Sequence, residues 1–457
     1  MGLALSAGVL APPGVFVLGG GNARALADRL DVIAASAPVL SFAELWELAR
    51  ELAAGAVRGC DEGGSVLRVA LAPATPQQLA GQARQAARRL RADGSAAMAA
   101  EPGVRISAGA AGNVVLVFPG LVESAAAHSA LLAASLAGLR TLELAGVRPG
   151  AAVGYSLGEI TGLVWAGSLA AAEAARLVAQ RGQILLGCSS GPAAMARIGA
   201  DARVARALCA PDRLHIAAYE GPRAQVLAGS IAGIRDMVRR AGAAGVAAEV
   251  LGVASAQHSP AMARCTAPLR SVLAGTPFAP PQRRLISTIT GRLASPDDDI
   301  ADLLARQLSL PVLFAQALMA ATDQSERTDL IVTAGPDDGL AIVAAGCSGV
   351  PAIALPVTRG GTLDANSVIS AQAVAALFAA GAVTDLSPFL AVPGSTLAAG
   401  TMPRMLDTEP HPGPDPERPS VPLLSLADSG GPGGPGGNGG TVDHGSDRST
   451  TARSEYK

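Results

Sequence analysis

Seven consecutive residues, Val153-Gly154-Tyr155-Ser156-Leu157-Gly158-Glu159, restrict the fold more than any other stretch. The apolar run Ala151-Ala152-Val153 before them reads as the end of a buried strand. Ile160 to Gly167 follows with apolar residues at helical spacing. Gly-x-Ser-x-Gly between a strand and a helix describes an elbow, a cramped turn in which flanking side chains would clash. It presents the Ser156 oxygen at the start of a helix, where backbone N–H groups and the helix dipole favour negative charge. In a chain with 54 glycines the same pattern also fits an ordinary turn, so the neighbouring segments must decide.

Upstream, Val114-Val115-Leu116-Val117-Phe118-Pro119-Gly120 reads as a buried strand closed by a Pro-Gly turn. Downstream, Ala254-Ser255-Ala256-Gln257-His258-Ser259-Pro260 sets a histidine beside a small residue and a proline. With the elbow, these segments resemble the acyltransferase family of fatty-acid and polyketide synthesis. The resemblance extends through Ser287-Thr288-Ile289-Thr290-Gly291, Pro311-Val312-Leu313-Phe314 and Ala334-Gly335-Pro336. It covers roughly residues 110 to 390 and leans towards the modular polyketide branch rather than the freestanding malonyl transferases.

A thioester-opening serine needs a base, and His is the natural one at neutral pH. Before the Pro/Gly-rich tail the chain offers His128, His215 and His258. His258, where the chain returns from an inserted segment, is the candidate; His128 and His215 fall on a helix and a strand. The resemblance implies that His258 is oriented by a backbone carbonyl, mapped to the Asp337–Asp338 neighbourhood, without a triad acid. It implies an oxyanion hole from the N–H groups of Leu157 and Leu121. Arg181 matches the arginine that pairs with the free carboxylate of malonyl-type substrates, which a planar guanidinium can bind bidentately. Tyr155 and Gln257 are the remaining substrate-binding candidates.

Three positions depart from the family pattern. Leu121 stands for glutamine, Glu220 for the common Asn of Asn-Gly-Pro, and Tyr155 for the histidine before the serine. Tyrosine there resembles acyltransferases of polyunsaturated-fatty-acid-type synthases. Ser255-Ala256-Gln257-His258 matches neither the malonyl nor the methylmalonyl signature of the family, so it does not name the acyl group.

Composition removes several alternatives. Net charge is −2 and pI about 6.2, which gives no footprint for nucleic acid. The single lysine is Lys457, so neither a Schiff-base nor a phosphate-loop lysine is on offer elsewhere. Five scattered cysteines fit buried thiols in a reducing compartment better than a metal cluster or a disulfide framework. The first twenty residues lack a basic start and contain Pro12-Pro13, so no signal peptide is expected. Every apolar run is broken by Arg, Asp, Gly or Pro, so no membrane span is expected either, and the location is read as cytoplasmic.

Residues 1–110 read as a small α/β domain: strand 14–18, helices, strand 66–71 and a helix from Gln77 to Ala92. The order resembles the linker between ketosynthase and acyltransferase. Gly19-Gly20-Gly21 hints at a dinucleotide fingerprint, but Arg24 occupies the third glycine position. Residues 111–390 read as the acyltransferase domain, with an α/β-hydrolase-like large part (111–193 and 254–390). Between them, residues 194–253 give strand, helix, strand, strand, helix, strand, the ferredoxin-like order. From 391 to 457 Pro, Gly and Ser dominate, and that tail is expected to be disordered.

The expected activity is transfer of a malonyl-type unit from coenzyme A to the phosphopantetheine thiol of an acyl carrier protein. It would proceed through an ester on Ser156, with no resident cofactor or metal. Malonyl-CoA or a related acyl-CoA and the carrier protein are the expected partners, a ketosynthase is a further candidate, and nucleic acid and membrane are not expected. Hydrolysis of the acyl thioester, or a non-catalytic docking role, are the alternatives.

Overall fold

In the computed structural model the described residues are 14–58, 66–93, 103–109, 112–121, 125–188, 191–210, 213–323, 327–335, 338–355, 371–387 and 390. The chain opens with β1 (Phe16–Gly20), α1 (Ala23–Ser36), α2 (Phe42–Arg58), β2 (Val66–Leu71), α3 (Pro76–Asp93) and β3 (Val104–Gly109). These strands form an antiparallel sheet in the order β1-β2-β3. Asn22 caps α1 by accepting from the amides of Arg24 and Ala25, so the helix start beside Gly19–Gly21 satisfies its own donors.

Next come β4 (Asn113–Phe118), α4 (Ala125–Leu144), β5 (Ala151–Gly154), α5 (Gly158–Trp165) and α6 (Ala171–Gly187). The inserted segment follows: β6 (Ala193–Ile198), α7 (Ala202–Cys209), β7 (His215–Gly221), β8 (Ala224–Ser230), α8 (Ile231–Ala243) and β9 (Ala248–Leu251). The chain then returns through α9 (Thr266–Leu273), β10 (Leu285–Ser287), β11 (Arg292–Leu293), α10 (Ile300–Gln307) and α11 (Phe314–Thr322). It closes with β12 (Thr328–Thr333), α12 (Asp338–Ser348), β13 (Ala352–Ala354) and α13 (Ala371–Ala379).

The large sheet runs β11-β10-β5-β4-β12-β13 and is parallel except for the β10–β11 pair. Its central strands are buried on both faces, as parallel strands between helices must be. Along β4, Val114, Leu116 and Phe118 join the main core, while Val115 and Val117 face a second core shared with the insertion. That continuous apolar burial is why the β4 and β5 stretches read as unbroken hydrophobic runs. The insertion forms a four-stranded antiparallel sheet, β7-β8-β6-β9, which is the ferredoxin-like arrangement.

The architecture is an α/β-hydrolase-like core with a ferredoxin-like subdomain. One relationship crosses the boundary drawn at residue 110. Helix α13 packs on β1, β2 and β3, and Ser107 Oγ donates to the Ala379 carbonyl at its end. The last described helix thus fastens the end of the acyltransferase stretch to the N-terminal sheet. Residues 391–457 lie outside the described residues.

Candidate active site

The β4 and β5 ends lie side by side, Phe118 opposite Gly154, at the carboxyl end of the parallel sheet. In open α/β sheets that edge is where ligands bind. Tyr155 donates its amide to the Phe118 carbonyl (2.9 Å), and the chain then turns sharply: Ser156 has φ +53°, and Gly158 N–H returns to the Tyr155 carbonyl at 2.8 Å. Positive φ at a non-glycine residue stores strain that surrounding contacts must hold in place. A Cβ on Gly158 would overlap the Phe118 carbonyl, and one on Gly120 would overlap the Tyr155 carbonyl and meet Leu157 N at 2.5 Å. Backbone packing against backbone is what demands glycine at both places. It also brings the turn at Gly120 against the first amides of α5.

His258 lies across the elbow, with Nε2 2.7 Å from Ser156 Oγ. Its Nδ1 faces two carbonyls, Gln307 O at 3.0 Å and Leu310 O at 3.1 Å. Carbonyls only accept, so Nδ1 carries the proton and Nε2 is left to accept from the serine hydroxyl. The imidazole is fully buried and also has positive φ (+59°), fixed by its amide donating to Leu308 O at 2.7 Å. Burial, then the nearby Arg181 charge, push its pKa down to about 4, against the two carbonyl hydrogen bonds, so it is neutral at pH 7.

Among the described residues the carbonyls that face Nδ1 are those of Gln307 and Leu310, at and beyond the end of α10, whereas the source was expected in the Asp337–Asp338 neighbourhood. Asp337 lies outside the described residues, and Asp338 opens α12. Gln307 does more, since its side-chain amide donates to the Ser156 carbonyl at 2.8 Å. No motif in the sequence marks this residue.

Arg181 projects from α6 and is only 2% exposed. None of its guanidinium nitrogens has a hydrogen-bond partner among the described residues. Burial lowers its pKa to about 10, which still leaves it charged at pH 7. Its charge is the second cause, after burial, of the lowered His258 pKa. An unpaired buried cation is expensive and calls for an anion.

Tyr155 is buried, its ring 5.4 Å from that of Phe314. Its hydroxyl donates to Glu220 Oε1 at 2.8 Å. Glu220, fully buried on β7, is also bound by Arg197 of β6, Nε to Oε2 at 2.6 Å and Nη2 to Oε1 at 3.1 Å. Gln257 is buried beside His258 and donates to Ser255 Oγ at 2.9 Å. Glu159, in the first turn of α5, accepts at Oε1 from Ser287 Oγ (3.1 Å), Thr288 Oγ1 (2.8 Å) and the Thr288 amide. Burial outweighs those bonds and raises its carboxyl to about 7. His128 is buried on α4 and His215 is exposed on β7. Among the described residues no group of three or more His, Cys, Asp or Glu side chains could hold a metal.

The family model described as acyl transferase domain matches residues 113–336. The chain also superimposes on the acyltransferase domain of an iterative polyketide synthase in enediyne biosynthesis, with a TM-score of 0.72. The two are 34% identical, and the match covers 82% of this chain and 98% of that one. The chain belongs to the acyl transferase domain family. The acyltransferase domain from module 8 of the salinomycin polyketide synthase shares the fold at 20% identity and a TM-score of 0.63, covering 83% of this chain and 99% of that one. Polyketide synthase GfsB of Streptomyces halstedii is 30% identical over 279 residues, 58% of this chain but only 5% of GfsB. This acyltransferase chain therefore spans a small fraction of the curated relatives it matches. No helix of its described part is long and apolar enough to cross a membrane.

Proposed function

We propose that the chain transfers a carboxylated acyl unit, malonyl or a close relative, from coenzyme A to the phosphopantetheine thiol of an acyl carrier protein. Family membership supports acyl transfer; the observation that favours a carboxylated substrate is Arg181, a buried cation with no hydrogen-bond partner among the described residues, whose charge is felt at His258. Ser156 Oγ attacks the thioester carbonyl while its proton passes to His258 Nε2. The amides of Leu157 and Leu121 receive the oxyanion, and collapse expels the coenzyme A thiolate, which takes the proton from His258. In the second half the carrier thiol gives its proton to His258 and attacks the Ser156 ester. Ser156 leaves with that proton and the acyl group resides on the carrier. Gln307 and Leu310 stabilise the imidazolium that exists between steps, so no carboxylate is needed behind the histidine. Coenzyme A thioester enters only as substrate; no bound cofactor takes part.

The test is incubation with radiolabelled malonyl-CoA, with and without phosphopantetheinylated carrier protein, read by intact mass and by label position. An ester on Ser156 that moves to the carrier supports the proposal. Free malonate released at the same rate without carrier would make the chain a hydrolase, and no label on Ser156 would make it a docking module.

A further inference from the structure

Two of the departures from the family pattern, Tyr155 and Glu220, lie far apart in sequence and meet in space. The Tyr155 hydroxyl and the Arg197 guanidinium together supply three donors to one fully buried carboxylate. A buried carboxylate with a single partner would be a liability, and replacement of such pairs by apolar residues is often neutral or stabilising. The arrangement therefore calls for a reason other than stability, and its position supplies one.

Tyr155 immediately precedes the strained Ser156, so the Glu220 bond anchors the elbow to β7. The same strand is fastened to the histidine side. Tyr219 N–H donates to Val312 O and Val312 N–H donates to Ala217 O, both at 2.9 Å. Val312 lies two residues beyond Leu310, whose carbonyl accepts the His258 Nδ1 proton. Strand β7 thus grips the nucleophile side through Glu220 and the base side through Val312. A shift of the small subdomain would alter the Ser156–His258 separation, which is 2.7 Å.

We infer that Glu220, oriented by Arg197, is a positioning residue that holds Tyr155 and thereby sets the reactive geometry of Ser156. Tyr155 and Glu220 then work as one unit, so that each is of use only with the other. The inference rests on Ser156 being the attacking atom of the proposed transferase.

The test is the rate at which a fluorophosphonate probe labels Ser156, read by intact mass, because that reaction needs the Ser156–His258 geometry but no acyl substrate. The proteins are wild type, Tyr155→Phe, Glu220→Gln, the double variant, Arg197→Met and Arg197→Lys. Tyr155→Phe and Glu220→Gln are each expected to lower the maximal labelling rate by about ten-fold or more, with the half-saturating probe concentration unchanged. The double variant should be no slower than the slower single, since coupled positions do not add. Arg197→Lys should retain more activity than Arg197→Met. Should Glu220→Gln fail to fold, Tyr155→Phe, which removes one hydroxyl, decides the matter. Single variants within two-fold of wild type, or a double variant slowed by the product of the singles, overturn the inference. Wild type that is labelled yet transfers no malonyl group overturns the functional reading and leaves this one standing; unlabelled wild type overturns both.

Discussion

The side-chain amide of Gln307 donates to the main-chain carbonyl of Ser156 at 2.8 Å, from the residue whose own carbonyl accepts the His258 Nδ1 proton. One residue at the end of α10 therefore fixes the strained serine with its side chain and the histidine with its backbone. Replacing the side chain leaves the backbone function in place and separates the two effects. Gln307→Met keeps approximate volume but leaves the Ser156 carbonyl without this donor. It should lower kcat for acylation by roughly ten- to a hundred-fold, with little change in KM, because misplacement of reacting atoms acts on the transition state. Pre-steady-state measurement of the Ser156 ester, beside a melting curve, checks this.

Gly120 predicts a failure of folding rather than of chemistry. An added Cβ would overlap the Tyr155 carbonyl and crowd the Leu157 and Gly158 amides, all backbone atoms that cannot rotate aside. Gly120→Ala should destabilise by about 3 kcal/mol or more, at the upper end of overpacking effects. Thermal unfolding is the readout; a melting temperature within a few degrees of wild type would show that the elbow can yield.

The features legible in the sequence were those with local patterns. The Ser156 elbow and the strand–helix order of the inserted segment each follow from residues close together in the chain. His258 was reachable because few histidines compete and the family pattern marks its neighbours. Gln307 was not, since a carbonyl belongs to every residue and nothing in Arg306-Gln307-Leu308 announces a turn aimed at the site. Glu220 stood out as an odd residue, but its meaning depends on Arg197 and Tyr155, 23 and 65 positions away. Pairings at that distance leave no periodic trace. The short β10 and β11 strands leave no mark in the sequence for a related reason: three and two residues are too few to show alternation.

Glu159 and His258 predict opposing slopes in stability against pH. The Glu159 carboxyl is raised from 4.5 to about 7, so its contribution is full below 4.5 and is lost as pH rises through 7. His258 is lowered from 6.5 to about 4, so its contribution is present above 6.5 and is lost as pH falls through 4. Each is worth on the order of 3 kcal/mol, and the windows overlap, so their slopes largely cancel in the wild type. Glu159→Gln should uncover a stability that climbs with pH between about 4 and 6.5. His258→Gln should uncover one that falls between about 4.5 and 7. Denaturant unfolding of the three proteins across pH 4 to 8 tests both, and parallel curves would mean that neither group titrates within the fold.

Arg181 links substrate choice to the base. Its charge is the second cause, after burial, of the low His258 pKa. A bound carboxylate would neutralise that charge at short range, whereas a neutral acyl group would leave it acting on the imidazole. A malonyl thioester should therefore make His258 more basic in the complex than an acetyl thioester does. The acid limb of kcat reports the base within the enzyme–substrate complex, so it should lie at higher pH for malonyl-CoA than for acetyl-CoA. Arg181→Ala should raise the acetyl limb, since the repulsion on the imidazole is gone. The same change should weaken malonyl binding by several hundred-fold, given the roughly 3–5 kcal/mol lost when one member of a buried pair is removed, and leave acetyl transfer little altered. Arg181→Lys keeps the charge without the planar fork and should fall between them in binding, while keeping the limbs apart. The measurement is pH–rate profiles for both thioesters on the three proteins. Coincident limbs in the wild type would show that the arginine does not act on the base, and equal losses for both substrates on Arg181→Ala would make it a purely structural residue.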